Sequence, residues 1–183
     1  MKRSVVVSLV IMGAASTLAA CEDTTIKSSV FSTVDECSIS TDYSRERCEQ
    51  DFAEAKKAHE KYAPAFNSQV DCEAEFGAGK CEPAKTENVA SDASSGSHSS
   101  FVPLMMGYMM GSRIGETNRS MAPQALYKPL NGSNFVNSNG ASVASKVGPV
   151  TMSGRSDAAR APVTHTRTLA RGGFGSRSMS FAG

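Results

Sequence analysis

Phe101-Val102-Pro103-Leu104-Met105-Met106-Gly107-Tyr108-Met109-Met110-Gly111-Ser112-Arg113-Ile114-Gly115 carries the strongest pattern in the middle of the chain. Gly107, Gly111 and Gly115 recur every four residues and would share one face of a helix, where missing side chains permit close approach of a second helix. Met105, Met106, Met109 and Met110 would cover the adjacent faces with soft, adaptable apolar surface. The segment is therefore expected to form a short glycine-zipper helix over residues 101–116. Its unbroken apolar run of about eleven residues is too short for a membrane span, which needs roughly 20. Three readings stay open: packing on a partner or on a second copy, contact with a membrane surface, and a core helix of this same chain. An exposed patch of this kind is a liability, so something should cover it.

Upstream, the cysteines come in a repeat. Phe31-Ser32-Thr33-Val34-Asp35-Glu36-Cys37 and Phe66-Asn67-Ser68-Gln69-Val70-Asp71-Cys72 align without a gap, and each is followed by a second cysteine before a glutamate, Cys48-Glu49 and Cys81-Glu82. The repeat favours local pairing, Cys37 with Cys48 and Cys72 with Cys81, among the three connectivities that four cysteines allow. Zinc is the competing reading. The spacing C-x10-C-x23-C-x8-C contains no tight C-x2-C pair, and only His59 lies nearby, so no metal site is expected. Between the two units Phe52, Ala55, His59, Tyr62 and Phe66 recur at spacings of three and four, the stripe of an amphipathic helix. Pro64 should stop it. Thr33 with Glu36 and Ser68 with Asp71 read as helix starts. Gly77 and Gly79 supply the turn that returns the chain to Cys81. His59 on this stripe reads as a partly buried helix residue.

Downstream, residues 85–100 are small, polar and serine-rich, the composition of a linker. Residues 117–183 are dense in Gly, Ser, Asn, Pro and Ala without lasting periodicity, so disorder is expected, with short extended pieces at Ala125 to Lys128 and a hairpin at Asn139-Gly140. Near the end, Arg171-Gly172-Gly173-Phe174-Gly175 has the form of an RGG segment, which tracks RNA in cytosolic proteins. Together these readings give a small α+β, mainly helical, disulfide-stabilised domain at 28–84, then the glycine-zipper helix and a largely disordered basic tail.

The amino terminus sets the compartment. Lys2 and Arg3, the apolar Val5 to Ala15, and Leu18-Ala19-Ala20-Cys21 form an export signal. The last four residues resemble the lipobox of bacterial lipoproteins. That resemblance implies removal of residues 1–20, lipid attachment at Cys21 and a tether at 21–27. Several acyl chains on one residue make a lasting anchor where one would bind only reversibly. Glu22 stands where an aspartate would favour inner-membrane retention, so the expected place is the outer membrane, facing the periplasm. Export argues against the RNA reading of the tail and favours a featureless tail or a docking peptide anchored by Phe174, and no nucleic-acid partner is expected.

Charge is uneven along the chain. Cys21 to Ser112 holds 16 acidic and 8 basic residues, whereas Arg113 to Gly183 holds 2 acidic and 9 basic. Such asymmetry suits two regions that meet electrostatically, or a basic segment seeking an anionic partner. Of the three histidines, at 59, 98 and 165, two fall in linker or tail, and there is no nucleophile elbow, phosphate loop or dinucleotide fingerprint. No catalytic residues and no cofactor are expected.

Cys21-Glu22, the stretch Asp71-Cys72-Glu73-Ala74-Glu75-Phe76-Gly77-Ala78-Gly79-Lys80-Cys81, the Pro-Leu-Met-Met-Gly-Tyr-Met-Met-Gly block and Arg171 to Gly175 together resemble the YgiB family of bacterial envelope proteins, a family of unknown function. The chain departs from it by a shorter, divergent stretch after Arg119. Members are often encoded beside an ATP-grasp enzyme, which implies a pathway association and transfers no catalytic residue. The resulting expectation is a non-enzymatic, lipid-anchored envelope protein acting through a protein partner or its own copies. The alternative is a small-ligand-binding or chaperone-like periplasmic module that uses the Met-rich surface and serves the neighbouring enzyme's pathway.

Overall fold

From Phe101 onward, two-residue alternation rather than four-residue spacing governs where side chains go. The computed structural model describes residues 24–40, 42–85, 100–114 and 119–164. Within them, β1 (Thr25–Phe31) precedes three helices, α1 (Val34–Ile39), α2 (Arg45–Tyr62) and α3 (Gln69–Phe76). The short strands that follow are β2 (Cys81–Pro83), β3 (Phe101–Pro103), β4 (Gly107–Met109), β5 (Ser112–Ile114) and β6 (Arg119–Met121). β7 (Gln124–Tyr127), β8 (Phe135–Asn137), β9 (Ser142–Ala144) and β10 (Gly148–Ser153) complete the fold.

Six of these strands form one antiparallel sheet in the order β10-β1-β4-β7-β8-β9, and β2-β3 and β5-β6 are separate ribbons. The two edge strands, β9 and β10, are consecutive in sequence with only residues 145–147 between them. Four Cα steps reach about 14 Å at most. The edges must therefore curl toward each other, and the sheet is a nearly closed barrel.

Its interior is filled by side chains from every strand. Ile26 and Val30 of β1, Met109 of β4, Leu126 of β7 and Phe135 of β8 are buried together, with Val143 and Ala144 of β9 and Val150 and Met152 of β10 against them. The opposite sides of the same strands face the helices. Phe31 and Tyr108 pack with Cys37, Cys48 and Ala55, and Ala125, Tyr127 and Val136 pack with Phe66, Cys72 and Phe76. One end of the barrel carries a polar knot. Asn137 donates to Gln124 Oε1 at 3.0 Å, and Gln124 donates to the carbonyls of Ala158 and Arg160 at 3.3 and 3.2 Å, fixing the 3-10 turn Asp157–Ala159.

Local signals explain the helices. Thr33, Ser44 and Ser68 cap α1, α2 and α3 by accepting from Glu36, Arg47 and Asp71 amides. α2 ends at Tyr62, before Pro64, and Phe66 leaves the helix to bridge Phe101. Two disulfides are present, Cys37–Cys48 between α1 and α2, and Cys72–Cys81 between α3 and β2.

The fold therefore corrects the expectation of a mainly helical chain with a zipper helix and a disordered tail. Gly107, Tyr108 and Met109 are β4, paired to β1 through Val30↔Met109 and Phe31↔Tyr108 and to β7 through Tyr108↔Ala125. Tyr108, Met109 and Met110 are all fully buried. Each such burial contributes roughly 1.5–3 kcal/mol, whereas helix propensities of ordinary residues differ by at most about 0.7 kcal/mol. Packing wins. The glycine spacing has a sheet reason: a Cβ on Gly107 would lie 2.8 Å from the Phe31 carbonyl oxygen, and one on Gly111 would lie 3.0 Å from both the Met121 carbonyl oxygen and Pro123 Cδ. Beyond Arg119 the chain supplies five strands, with Asn139-Gly140 turning β8 into β9 and Gly140 at φ +79°. Cys21, the signal segment, most of the serine-rich linker, Gly115, His98, His165 and residues 171–175 lie outside the described residues.

Candidate functional site

The methionines and glycines expected to share one contact surface are dispersed. Met109 faces the barrel interior, Met106 packs against it, Met110 lies on the helix side with its sulfur 3.8 Å from Cys37 Sγ, and Met105 is half-buried between the two helix-side clusters. Gly111 is held by α2: its amide donates to Asp51 Oδ2 at 2.9 Å and its carbonyl accepts from Arg47 Nη2 at 3.1 Å. Arg47 Nε also donates to Asp51 Oδ1 at 2.8 Å, so the buried carboxylate is neutralised where it is anchored. The Tyr108 hydroxyl is buried without a hydrogen-bond partner among the described residues, and burial, reinforced by Asp51, pushes its pKa up to about 12.

His59 is buried on α2 among titratable neighbours. The stripe on α2 turns it toward β7, where its Nδ1 lies 3.0 Å from the Tyr127 hydroxyl, and its Nε2 lies 3.6 Å from Glu82 Oε1 on β2. Burial holds the Tyr127 phenol protonated far above its ordinary range. Burial also lowers the His59 pKa, and Glu82 opposes that shift without overcoming it. The arrangement that satisfies all three groups has Tyr127 donating to Nδ1 and the imidazole proton on Nε2, facing the carboxylate. Beside it lies a cavity of about 230 Å³ lined by Lys56, His59, Glu60, Glu82, Pro83, Lys85 and Val102. Glu60 pairs with Lys85, which holds the Glu60 carboxyl below its usual range. Both imidazole nitrogens are engaged and the described lining residues include no hydroxyl or thiol nucleophile, so the cluster ties α2 to β7 and β2. Among the described residues no three His, Cys, Asp or Glu side chains converge on a metal-sized site.

A second hollow of about 230 Å³ opens at the C-terminal end of α3, lined by Phe76, Lys80, Leu104, Met106, Lys128, Pro129, Leu130 and Gly132. Three segments meet there and are tied by backbone hydrogen bonds. Leu130 N donates to Glu75 O at 2.8 Å, Leu104 N to Lys80 O at 2.8 Å, and Lys80 N to Gly77 O at 3.2 Å. Gly77 caps α3 at φ +103°, and a Cβ there would touch Leu130 Cδ1 at 3.5 Å. Leu130 is 61% exposed and stands beside this apolar hollow.

The family model described as a protein of unknown function, DUF1190, matches residues 25–182. The chain belongs to the DUF1190 family. It is 37% identical over 171 residues to a UPF0441 protein of Serratia proteamaculans, 35% over 180 residues to one of Photorhabdus laumondii, and 33% over 166 residues to one of Erwinia tasmaniensis. These alignments cover 86% of this chain and 74 to 75% of the relatives. No solved structure matches. The DUF1190 match begins at β1 and takes in both disulfides, the His59 cluster and the hollow at Leu130. Tyr127, Glu82, Lys80 and Lys128 escape sequence reading because each acquires its role from a strand or loop whose partner lies elsewhere in the chain. The extended character of Ala125 to Lys128 is the one local hint.

Proposed function

We propose that this protein is a non-enzymatic, lipid-anchored component of the bacterial envelope that works by contact with a protein partner. Leu18-Ala19-Ala20-Cys21 supports anchoring at Cys21, and paired cysteines suit an oxidising compartment outside the cytoplasm. Glu22 supports the outer membrane, with the barrel facing the periplasm. The observation that carries the contact reading is the hollow at Leu130: an apolar surface, preformed by backbone hydrogen bonds, left open beside an exposed leucine. The Gly107 to Met110 block has no part in it, being consumed by the core.

A photo-reactive amino acid at position 130 in cells should give a discrete protein adduct, while the same probe at the 82% exposed Ile39 should not. Equal labelling from both positions, or none from 130, contradicts the reading. Intact mass of the membrane-extracted chain should show acylated Cys21 as the first residue. A second reading, small-ligand binding, draws support from the mixed-charge cavity beside His59, and stabilisation by a polar metabolite that is lost in Lys56→Ala would favour it.

A further inference from the structure

Lys80 and Lys128 both line the hollow at Leu130, and both are exposed. Lys128 lies over the Phe135 ring, 5.3 Å from its centroid, and Lys80 follows the Gly77–Gly79 turn. Among the described residues neither lysine pairs with a carboxylate, whereas Arg45 pairs with Asp35 and Glu49, Arg47 with Asp51, Lys85 with Glu60 and Arg160 with Asp157. Two uncompensated ammonium groups thus flank an apolar wall of Phe76, Leu104, Met106 and Leu130.

The volume limits what can enter. Pockets for drug-sized ligands run from roughly 300 to 1,000 Å³, and at about 230 Å³ this hollow is smaller than that, of a size for a side chain rather than a whole ligand. The charges then limit what may flank that side chain, because complementary potential sets both approach and register. We propose that the hollow is the docking site for an acidic peptide segment of a partner protein: one leucine- or phenylalanine-sized side chain enters between Phe76, Leu104, Met106 and Leu130, and carboxylates on either side of it pair with Lys80 and Lys128. This rests on the contact reading above and names its chemistry. The hydrogen bonds from Leu130 to Glu75 and from Leu104 to Lys80 hold the walls before the peptide arrives, so little ordering is required on binding.

The test is fluorescence anisotropy of the purified full chain in detergent with a labelled nonapeptide carrying one central leucine flanked on each side by two aspartates. The peptide should bind in a salt-sensitive manner. Replacing its leucine by serine, or its aspartates by lysines, should remove binding. K80E/K128E should weaken it by about two- to thirtyfold, as the loss of two exposed ion pairs would, and should instead accept the lysine-flanked peptide. Leu130→Ser, at an exposed position, should weaken binding without altering the thermal unfolding midpoint. Affinity unchanged in K80E/K128E, or indifferent to the leucine, overturns the proposal. So does binding to phosphatidylglycerol vesicles with none to the peptide, which would make the face a lipid surface. A cross-link from position 130 in cells that persists in K80E/K128E would leave the contact reading standing and remove only the acidic-partner chemistry.

Discussion

In the helical layer, structure is tied to near neighbours; in the barrel, the central strands are tied to residues far along the chain. Cys37–Cys48 and Cys72–Cys81 span 11 and 9 residues, and the caps at Thr33, Ser44 and Ser68 act over three. By contrast β1 pairs Thr25 with Ser153 and Val30 with Met109, so the first strand is completed only by the last. The layer therefore has covalent and local support that survives small insults. The barrel has no covalent support and, apart from the tight β8–β9 hairpin, little local support, and relies on filling a narrow interior from all six strands at once.

Gly107→Val should break the molecule where the barrel is least forgiving, since its first side-chain atom would lie 2.8 Å from the Phe31 carbonyl oxygen. A loss of about 3 kcal/mol or more is expected by urea denaturation, at the upper end of overpacking costs. The paired change Cys72→Ala with Cys81→Ala removes a staple from the layer and should cost about 2–3 kcal/mol, with the barrel's near-ultraviolet signature retained below the midpoint. If the cysteine pair unfolds the chain while Gly107→Val is tolerated, the comparison is inverted.

Tyr127→Phe probes the seam between the two. It leaves His59 Nδ1 buried without its hydroxyl partner and should cost about 1–2 kcal/mol. A smaller effect comes from pH. Burial lowers the folded-state pKa of His59, so below the unfolded value near 6.5 the unfolded chain binds the extra proton and folding weakens. Stability should thus be level above about pH 7 and fall as pH drops through 6.5 toward the depressed value, and His59→Gln should flatten that part of the profile relative to the parent chain.

Particular residues show what could be read in advance. Ser68 before Asp71, Pro64 after Tyr62 and the repeated cysteines announce the helical layer because caps, breakers and short loops act within a few residues. The same holds for the Asn139-Gly140 turn. The Gly-Tyr-Met-Met-Gly block misleads because its four-residue glycine spacing suits a helix face, while strands of three or four residues are too short to display alternation. Gly107 is required by Phe31, some 76 positions earlier, and nothing local signals that. The lysines at 80 and 128 likewise become a pair only when α3 meets the loop after β7.

The most direct test is an isotope-edited NMR measurement of contacts around Met109. Cross-strand Hα and amide contacts from Met109 to Val30, and from Tyr108 to Ala125, are expected, with slow amide exchange in β1 and β4. Sequential contacts three residues apart along 104–111, with no contact from Met109 to Val30, would mean that the block is a helix after all and that the barrel, with the hollow it supports, does not form.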